Sequence, residues 1–454
     1  DRVTGVEINP LMIEAIGTHS RRFWGIDPYN HPRVTLKKMD GRTFVNSSRD
    51  DFDLITLTAV DSYAGVPTSS YVLSENYLYT AEAFDQYLDR LKPGGVLYVR
   101  RPSLQMTRLL ATAVEALERR GVEDPAGRIV VVAGRADFAM DFESALIFRD
   151  PPSAAQLSSL RSRIEEMHSI DRVAWLAGPP ASFLNGRFLE RVRGEGLDAA
   201  YRLRPSLDTT PVSDDRPFFY HTAPSFFGSP AAAPLVRALV TTMIVAFLLI
   251  VAPLGVVSLR AAEPRIAWHL VYFMSIGVGF MFTEVALIQK LGMFLGHPSY
   301  SLAVSLFGIL LFSGLGSIAS GWIRDRTRDA LRIVFPLVAI AIVAYAAGLT
   351  RLLMELRLES MSSRIAVALL LLAPASFLMG MPFPLKIGDL SGRQAAVVPW
   401  AWGINSFFSV VASILATMLA INFGFDTVLT LAAGAYLLAM LAHLRMADRA
   451  TRIA

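Results

Sequence analysis

The stretch VTGVEINPLMIEAI, residues 3–16, decides the fold of the N-terminal part of this chain. Apolar residues run into a single acid, Glu7. Pro10 then opens a helix-like pattern, at the first-turn position where the missing N–H of proline costs nothing. An acid at the C-terminal end of a strand that feeds a helix is how doubly wound α/β domains hold ribose hydroxyls. Such an acid follows a Gly-rich strand–turn–helix by about 20 residues. No such segment precedes Glu7, so the domain reads as incomplete at its N-terminus and an upstream continuation of the chain is expected.

Working outward, strand and helix patterns alternate. RVTLKKMD (33–40) reads as a strand ending in Asp40, and DLITLTAV (53–60) as a buried strand running to Asp61. AEAFDQYLDRL is a helix stopped by KPGG, GVLYVRR a strand, and QMTRLLATAVEALERRG a helix with glycine at its C-terminus. RIVVVAG and SALIFRD read as a closing strand pair. This order predicts a mostly parallel sheet with helices on both faces over residues 1–150. Residues 151–233 read as an extension and linker, with one helix in PSAAQLSSLRSRIEEMH and an ordered loop in RPSLDTTPVSDDRPFFYH. Within that loop Asp214, Asp215 and Arg216 suggest a local ion pair that fixes it on the domain; a substrate lid is the alternative.

The remainder has a different character. The chain of 454 residues is 53% hydrophobic, with mean hydropathy +0.42, and the excess is concentrated after Pro234. Seven apolar runs near the 20 or so residues that cross a bilayer fall at 235–258, 267–289, 299–321, 331–350, 365–386, 399–423 and 427–444. Trp268, Trp322, Trp400 and Trp402 stand near their ends, where amphipathic rings belong. GSIASG (316–321) offers small residues for close helix packing. Within the runs Glu284 is a costly intramembrane charge, read as a transport or proton group, as a helix-packing hydrogen-bond group or as a partner of Lys290. His297 and Asn405 are further polar points. The net charge of +4 is assigned to residues flanking spans. No nucleic-acid partner is expected, because no basic stretch interleaves with aromatics. The absence of cysteine excludes disulfides, zinc thiolates and cysteine nucleophiles.

Three acids, Glu7, Asp40 and Asp61, end successive strands, a series that suggests an adenosine site. Taken singly, Glu7 is equally a surface acid, Asp40 a turn residue and Asp61 a cap. The segments GVEINP, MDGRTF, FDLITLTAVDSYAGVP and LKPGGVLYVR resemble the polyamine aminopropyltransferases, the spermidine and spermine synthases, which share the class I S-adenosylmethionine methyltransferase fold. SENYLYTAEAF, VSDDRPFFYH and FLGHPSYSLAVSLFGILLFSGLGS resemble bacterial membrane proteins in which such a domain is fused to spans. The resemblance implies a methyltransferase-like, Rossmann-type α/β domain followed by an all-α transmembrane bundle over 234–446. It also implies that Glu7 binds ribose, that Asp40 contacts adenine, and that Asp61 holds or deprotonates an amine.

The family's catalytic loop carries two aspartates. Here one register puts Thr58 at the first acid and Asp61 at the second, and the other makes Asp61 the first and loses the second. A missing carboxylate weakens a doubly charged diamine by about 1.5–3 kcal/mol, which puts putrescine in doubt as acceptor. The expected co-substrate is decarboxylated S-adenosylmethionine, or S-adenosylmethionine if the chain is a methyltransferase, with no metal. A third reading is a transporter-like protein whose domain senses a nucleoside or polyamine. The expected partners are a small amine or polyamine and the lipid bilayer, and a homo-oligomer is left open. The expected location is the cell inner (plasma) membrane. Arg260, Arg265, the arginines from Arg324 to Arg332, Lys386 and Arg393 fall on one side of seven spans, and Lys290, Arg351, Arg357 and Arg364 on the other. The positive-inside rule puts the first set in the cytoplasm and the N-terminal domain outside. The ligand argues for a cytoplasmic domain and is given precedence.

Overall fold

A computed structural model of the chain describes residues 2–58, 60, 75–134, 142–166, 172–179, 181–224, 226, 232–253, 266–296, 298–327, 329–358, 360–393 and 397–451. Asp61, His297, Arg260, Arg265 and Arg328 lie outside the described residues. The chain divides into two units, Asp1–Ala232 and Ala233–Ala454.

The first unit opens with β1 (Val3–Glu7), α1 (Pro10–Trp24) and β2 (Val34–Lys38). Asn9 caps α1 by accepting from Leu11 N–H, and Gly25 ends it at φ 69°, a left-handed position that glycine adopts without strain. β1 and β2 pair in parallel, with Val3 opposite Val34 and Glu7 opposite Lys38. Asp40 then caps α2 (Gly41–Ser47). There follow β3 (Phe52–Thr58), α3 (Ala81–Asp89), β4 (Leu91–Pro102), α4 (Ser103–Arg119), β5 (Ile129–Gly134), β6 (Phe142–Phe148), α5 (Ala154–Glu166), β7 (Arg172–Leu176) and α6 (Phe183–Glu195).

β3 to β7 form a five-stranded sheet in the order β3-β4-β6-β5-β7. Only β3 and β4 are parallel; the pairings of β4 with β6, β6 with β5 and β5 with β7 are antiparallel. The sheet is therefore mixed rather than mostly parallel. Strands buried on both faces read as continuous apolar runs whichever way their neighbours point, so the insertion of β6 between β4 and β5 is not visible in the pattern. Neither β7 nor α6 stands out in the Pro-rich stretch after residue 150. Trp175 of β7 is nonetheless fully buried, with its indole N–H donating to Ala126 O at 2.9 Å.

KPGG makes the register jump. Phe52 pairs with Leu91 but Leu54 with Val96, so Lys92–Gly95 bulges out. Gly94 sits at φ 75°, and a Cβ on Gly95 would meet Lys92 O at 2.9 Å. The core lies where α3, α4 and α6 cover the sheet, around Phe84, Tyr87, Leu110, Leu117, Trp175 and Phe188. Each such side chain contributes about 1.5–3 kcal/mol by leaving water. Among the described residues no strand pairing joins β1–β2 to the five-stranded sheet.

The second unit is all-helical. α7 (Ala232–Ala246) runs on through a π-type turn at Phe247–Val251. It is followed by α8 (Ile266–Leu295), α9 (Pro298–Arg326), α10 (Leu331–Glu355), α11 (Met361–Met379), α12 (Pro382–Arg393), α13 (Val398–Phe423) and α14 (Phe425–Thr451). Among the described residues seven stretches are long and apolar enough to cross a membrane, and all seven fall on the runs read from the sequence. One of them, Met361–Ser391, joins α11 and α12 across a break at Gly380 and Met381.

α8 packs against α13 and α14 and buries Tyr272, Phe273, Phe282 and Leu287. Leu249, Ile318, Trp322, Ile340, Leu370 and Phe423 point outward and stay exposed, a surface suited to hydrocarbon rather than water. Gly316, from the small-residue stretch, brings α9 onto α11: a Cβ there would lie 1.9 Å from Phe377 O. Lys290 is buried and pairs with Asp426 at 2.9 Å and Thr350 Oγ1 at 2.7 Å. Glu284 of the same helix is half-buried. Lys386, read as a charge at the end of an apolar run, is buried within α12.

Candidate active site

Because β1 and β2 are parallel neighbours, their C-terminal ends bring Glu7 and Asp40 to the same edge of the pair. Each carboxylate is half-used by local backbone. Glu7 Oε1 accepts from Asn9 N–H at 2.8 Å, and Asp40 Oδ1 from Thr43 N–H at 2.8 Å. Both side chains are half-buried, so the remaining oxygens Oε2 and Oδ2 can accept from a ligand's hydroxyl or amino group. The Asp40 cap also fixes the carboxylate at the N-terminus of α2. Asp40 is thus a helix cap rather than the turn residue of the alternative reading, and each acid leaves one acceptor in hand.

Thr58 ends β3, its Oγ1 3.0 Å from that of Thr56. Asp61, the candidate base three residues on, lies outside the described residues. On the far side of that stretch stands Glu75, whose carboxyl is pushed above its ordinary range by burial. Sequence reasoning did not single it out, although it is the second residue of the SENYLYT motif. At the end of β4 the buried Arg101 lies over the Tyr79 ring, 4.2 Å from its centroid, and donates to the hydroxyls of Tyr79 and Tyr220. Burial lowers this guanidinium to about 10. Glu143, opposite Arg101 on β6, is buried and accepts from Asn185 Nδ2 at 2.6 Å. These groups were not legible because each is set by a partner on another element.

The DDR motif is held by charged partners from other segments of the unit. Arg42 of α2 grips Asp214 with two hydrogen bonds, Nη1 to Oδ1 at 2.6 Å and Nη2 to Oδ2 at 2.7 Å. Both side chains are almost fully buried. Burial opposes the charge on Arg42, but Asp214 outweighs it and holds the guanidinium pKa above its ordinary value. Arg216 pairs instead with Asp208 at 2.9 Å. Arg108 donates to the carbonyls of Thr210, Phe218 and His221. The segment 208–221 is therefore stitched to α2, α3 and α4 by buried charges, a structural role that ties the residues beside Asp40 to the end of the unit.

A cavity of about 540 Å³ lined by Glu115, Glu118, Asp198 and Tyr201 opens at the C-terminal end of α4.

A family model described as the spermine/spermidine synthase domain matches residues 1–121, and the N-terminal domain is spermidine synthase-like. Two solved structures are similar to part of the chain. The spermidine synthase from Thermotoga maritima is 18% identical, over 34% of this chain and 48% of that one, with a TM-score of 0.25. A probable spermidine synthase from Corynebacterium glutamicum ATCC 13032 is 18% identical, over 40% of this chain and 63% of that one, with a TM-score of 0.27. The chain thus spans about half to under two thirds of the length of these proteins. No curated protein matches.

Proposed function

We propose that the N-terminal domain transfers an aminopropyl group from decarboxylated S-adenosylmethionine to an amine. The observation that carries this reading is the family match over residues 1–121, with Glu7 and Asp40 inside it on the ends of parallel neighbours. Glu7 Oε2 accepts from the ribose hydroxyls and Asp40 Oδ2 from the adenine amino group. The amine nitrogen attacks the carbon next to the sulfonium, the carbon–sulfur bond breaks, and methylthioadenosine leaves with the electron pair on sulfur. Asp61 holds the amine and takes its proton. The helical unit sits in the cell inner membrane and the domain faces the cytoplasm, where the adenosyl ligand is made.

A second reading, methyl transfer from S-adenosylmethionine to a membrane-associated substrate, is favoured by Thr58. It ends β3 where one register calls for the first of two catalytic acids. With one acid fewer, the site suits a less charged acceptor than putrescine.

The full chain, extended at its N-terminus if its gene encodes more, is incubated with decarboxylated S-adenosylmethionine and a panel of amines. Methylthioadenosine release supports aminopropyl transfer, and Asp61→Asn is expected to slow it by about 10²–10⁴-fold. An unchanged rate removes Asp61 as the base. Turnover of S-adenosylmethionine to S-adenosylhomocysteine instead replaces the first reading with the second.

A further inference from the structure

The helical unit contains a buried polar cluster for which the transferase reading has no use. Lys386 of α12 and His443 of α14 are each 7% exposed. His443 Nε2 lies 2.9 Å from Asp329 Oδ1, in the turn between α9 and α10. Its Nδ1 lies 3.5 Å from Lys386 Nζ. The other oxygen of Asp329 accepts from Arg332 at 2.7 Å. The ring of Tyr272 on α8 faces the ammonium at 5.7 Å, and its hydroxyl donates to Pro382 O at 2.9 Å. Three further groups face the cluster. Asp389, one turn along α12, is within electrostatic reach of both Lys386 and His443. Tyr436 of α14 lies near Tyr272, and the Arg324 guanidinium of α9 lies against Gly388.

The hydrogen count is constrained. An ionised carboxylate only accepts, so Nε2 carries the imidazole hydrogen, and Nδ1 keeps the lone pair that receives Lys386. Lysine and histidine therefore share one excess proton. A second proton, on Nδ1, would set two donors and two like charges against each other. Asp329 already serves Arg332, and Asp389 reaches Lys386 and His443 through its field. The element able to respond is α12. It is short, it is separated from α11 at Gly380 and Met381, and it enters with Pro382 and Pro384, which donate no backbone hydrogen bond.

We propose that Lys386, His443 and Asp329 form a proton-binding site, and that proton uptake by His443 expels the Lys386 ammonium and moves α12. This is independent of the reaction in the N-terminal domain. It makes the helical unit a proton-responsive device rather than a passive anchor.

The chain has no cysteine, so Ser391→Cys on α12 and Leu441→Cys on α14 carry two spin labels without interference. Both positions are exposed. In lipid nanodiscs the distance distribution of the full chain is expected to shift between pH 8 and pH 5. In His443→Gln it stays at the pH 8 distribution, because the amide can donate to Asp329 and accept from Lys386 but cannot take up a proton. In Lys386→Met the shift is also lost, because there is no cation to expel. A wild-type distance that does not change with pH overturns the proposal, as does a full shift retained in His443→Gln or in Lys386→Met. The wild-type measurement decides the first point even if a variant fails to fold.

Discussion

Replacing Asp214 by alanine should unseat the segment that closes the first unit. The substitution removes two charge-assisted hydrogen bonds from Arg42, at 2.6 and 2.7 Å, and one from Thr80 Oγ1 at 2.7 Å. Arg42 keeps Gln86 Oε1 at 2.8 Å and Tyr77 O at 2.9 Å, with the Glu82 carboxylate within electrostatic reach. A buried charge stripped of its partner costs about 3–5 kcal/mol, a large share of the roughly 5–15 kcal/mol that holds an ordinary domain together. The physical claim is that the cost comes from the stranded guanidinium rather than from a large intrinsic gain in the pair. Arg42→Met/Asp214→Leu removes both charges and fills similar volume, so it should recover at least half of the loss. Urea unfolding of the full chain in detergent measures this through Trp175, with the other five tryptophans replaced by phenylalanine. The reasoning fails if Asp214→Ala costs under about 1 kcal/mol, or if the double variant costs the sum of the two singles.

Three further outcomes are expected. Glu7→Gln should weaken binding of an adenosyl ligand to the full-length protein in calorimetry, and unchanged affinity would remove Glu7 from the site. Acid should destabilise the first unit through two groups. Burial lowers His221, so below about pH 6.5 the unfolded chain binds a proton that the fold does not, and stability falls. Burial tends to raise Asp208, but Arg108 and Thr210 overcome it and lower the carboxyl, so its contribution is present above the unfolded value and lost as pH falls through the folded one. His221→Gln should therefore move acid unfolding to lower pH, and an unmoved midpoint argues against the histidine. In the helical unit Gly316→Ala should lower the melting temperature, since its Cβ would strike Phe377 O, whereas Gly314→Ala has nothing within 4 Å and should be neutral. Equal effects would mean that α9 and α11 do not touch there.

The seven apolar helices were legible because crossing length and hydrophobicity are properties of a local run of residues. The acids Glu7 and Asp40 were legible for a similar reason, since strand pattern and acid are neighbours in the chain, although β2 stops at Lys38 and Asp40 caps α2, a helix the pattern did not show. The direction of β6, the strand β7, the partner of Asp214 and the burial of Lys386 were decided only by tertiary structure. Arg42 and Asp214 are 172 residues apart, and nothing near Asp214 distinguishes that partner from the adjacent Arg216. Lys386 ends the fifth apolar run and reads as a charge flanking a span. Its place inside the unit follows from α8 and α14 supplying a ring and an imidazole to receive it. Local sequence sets backbone preference and the spacing of apolar positions, but the cost of burying a charge depends on which groups the rest of the chain brings to meet it.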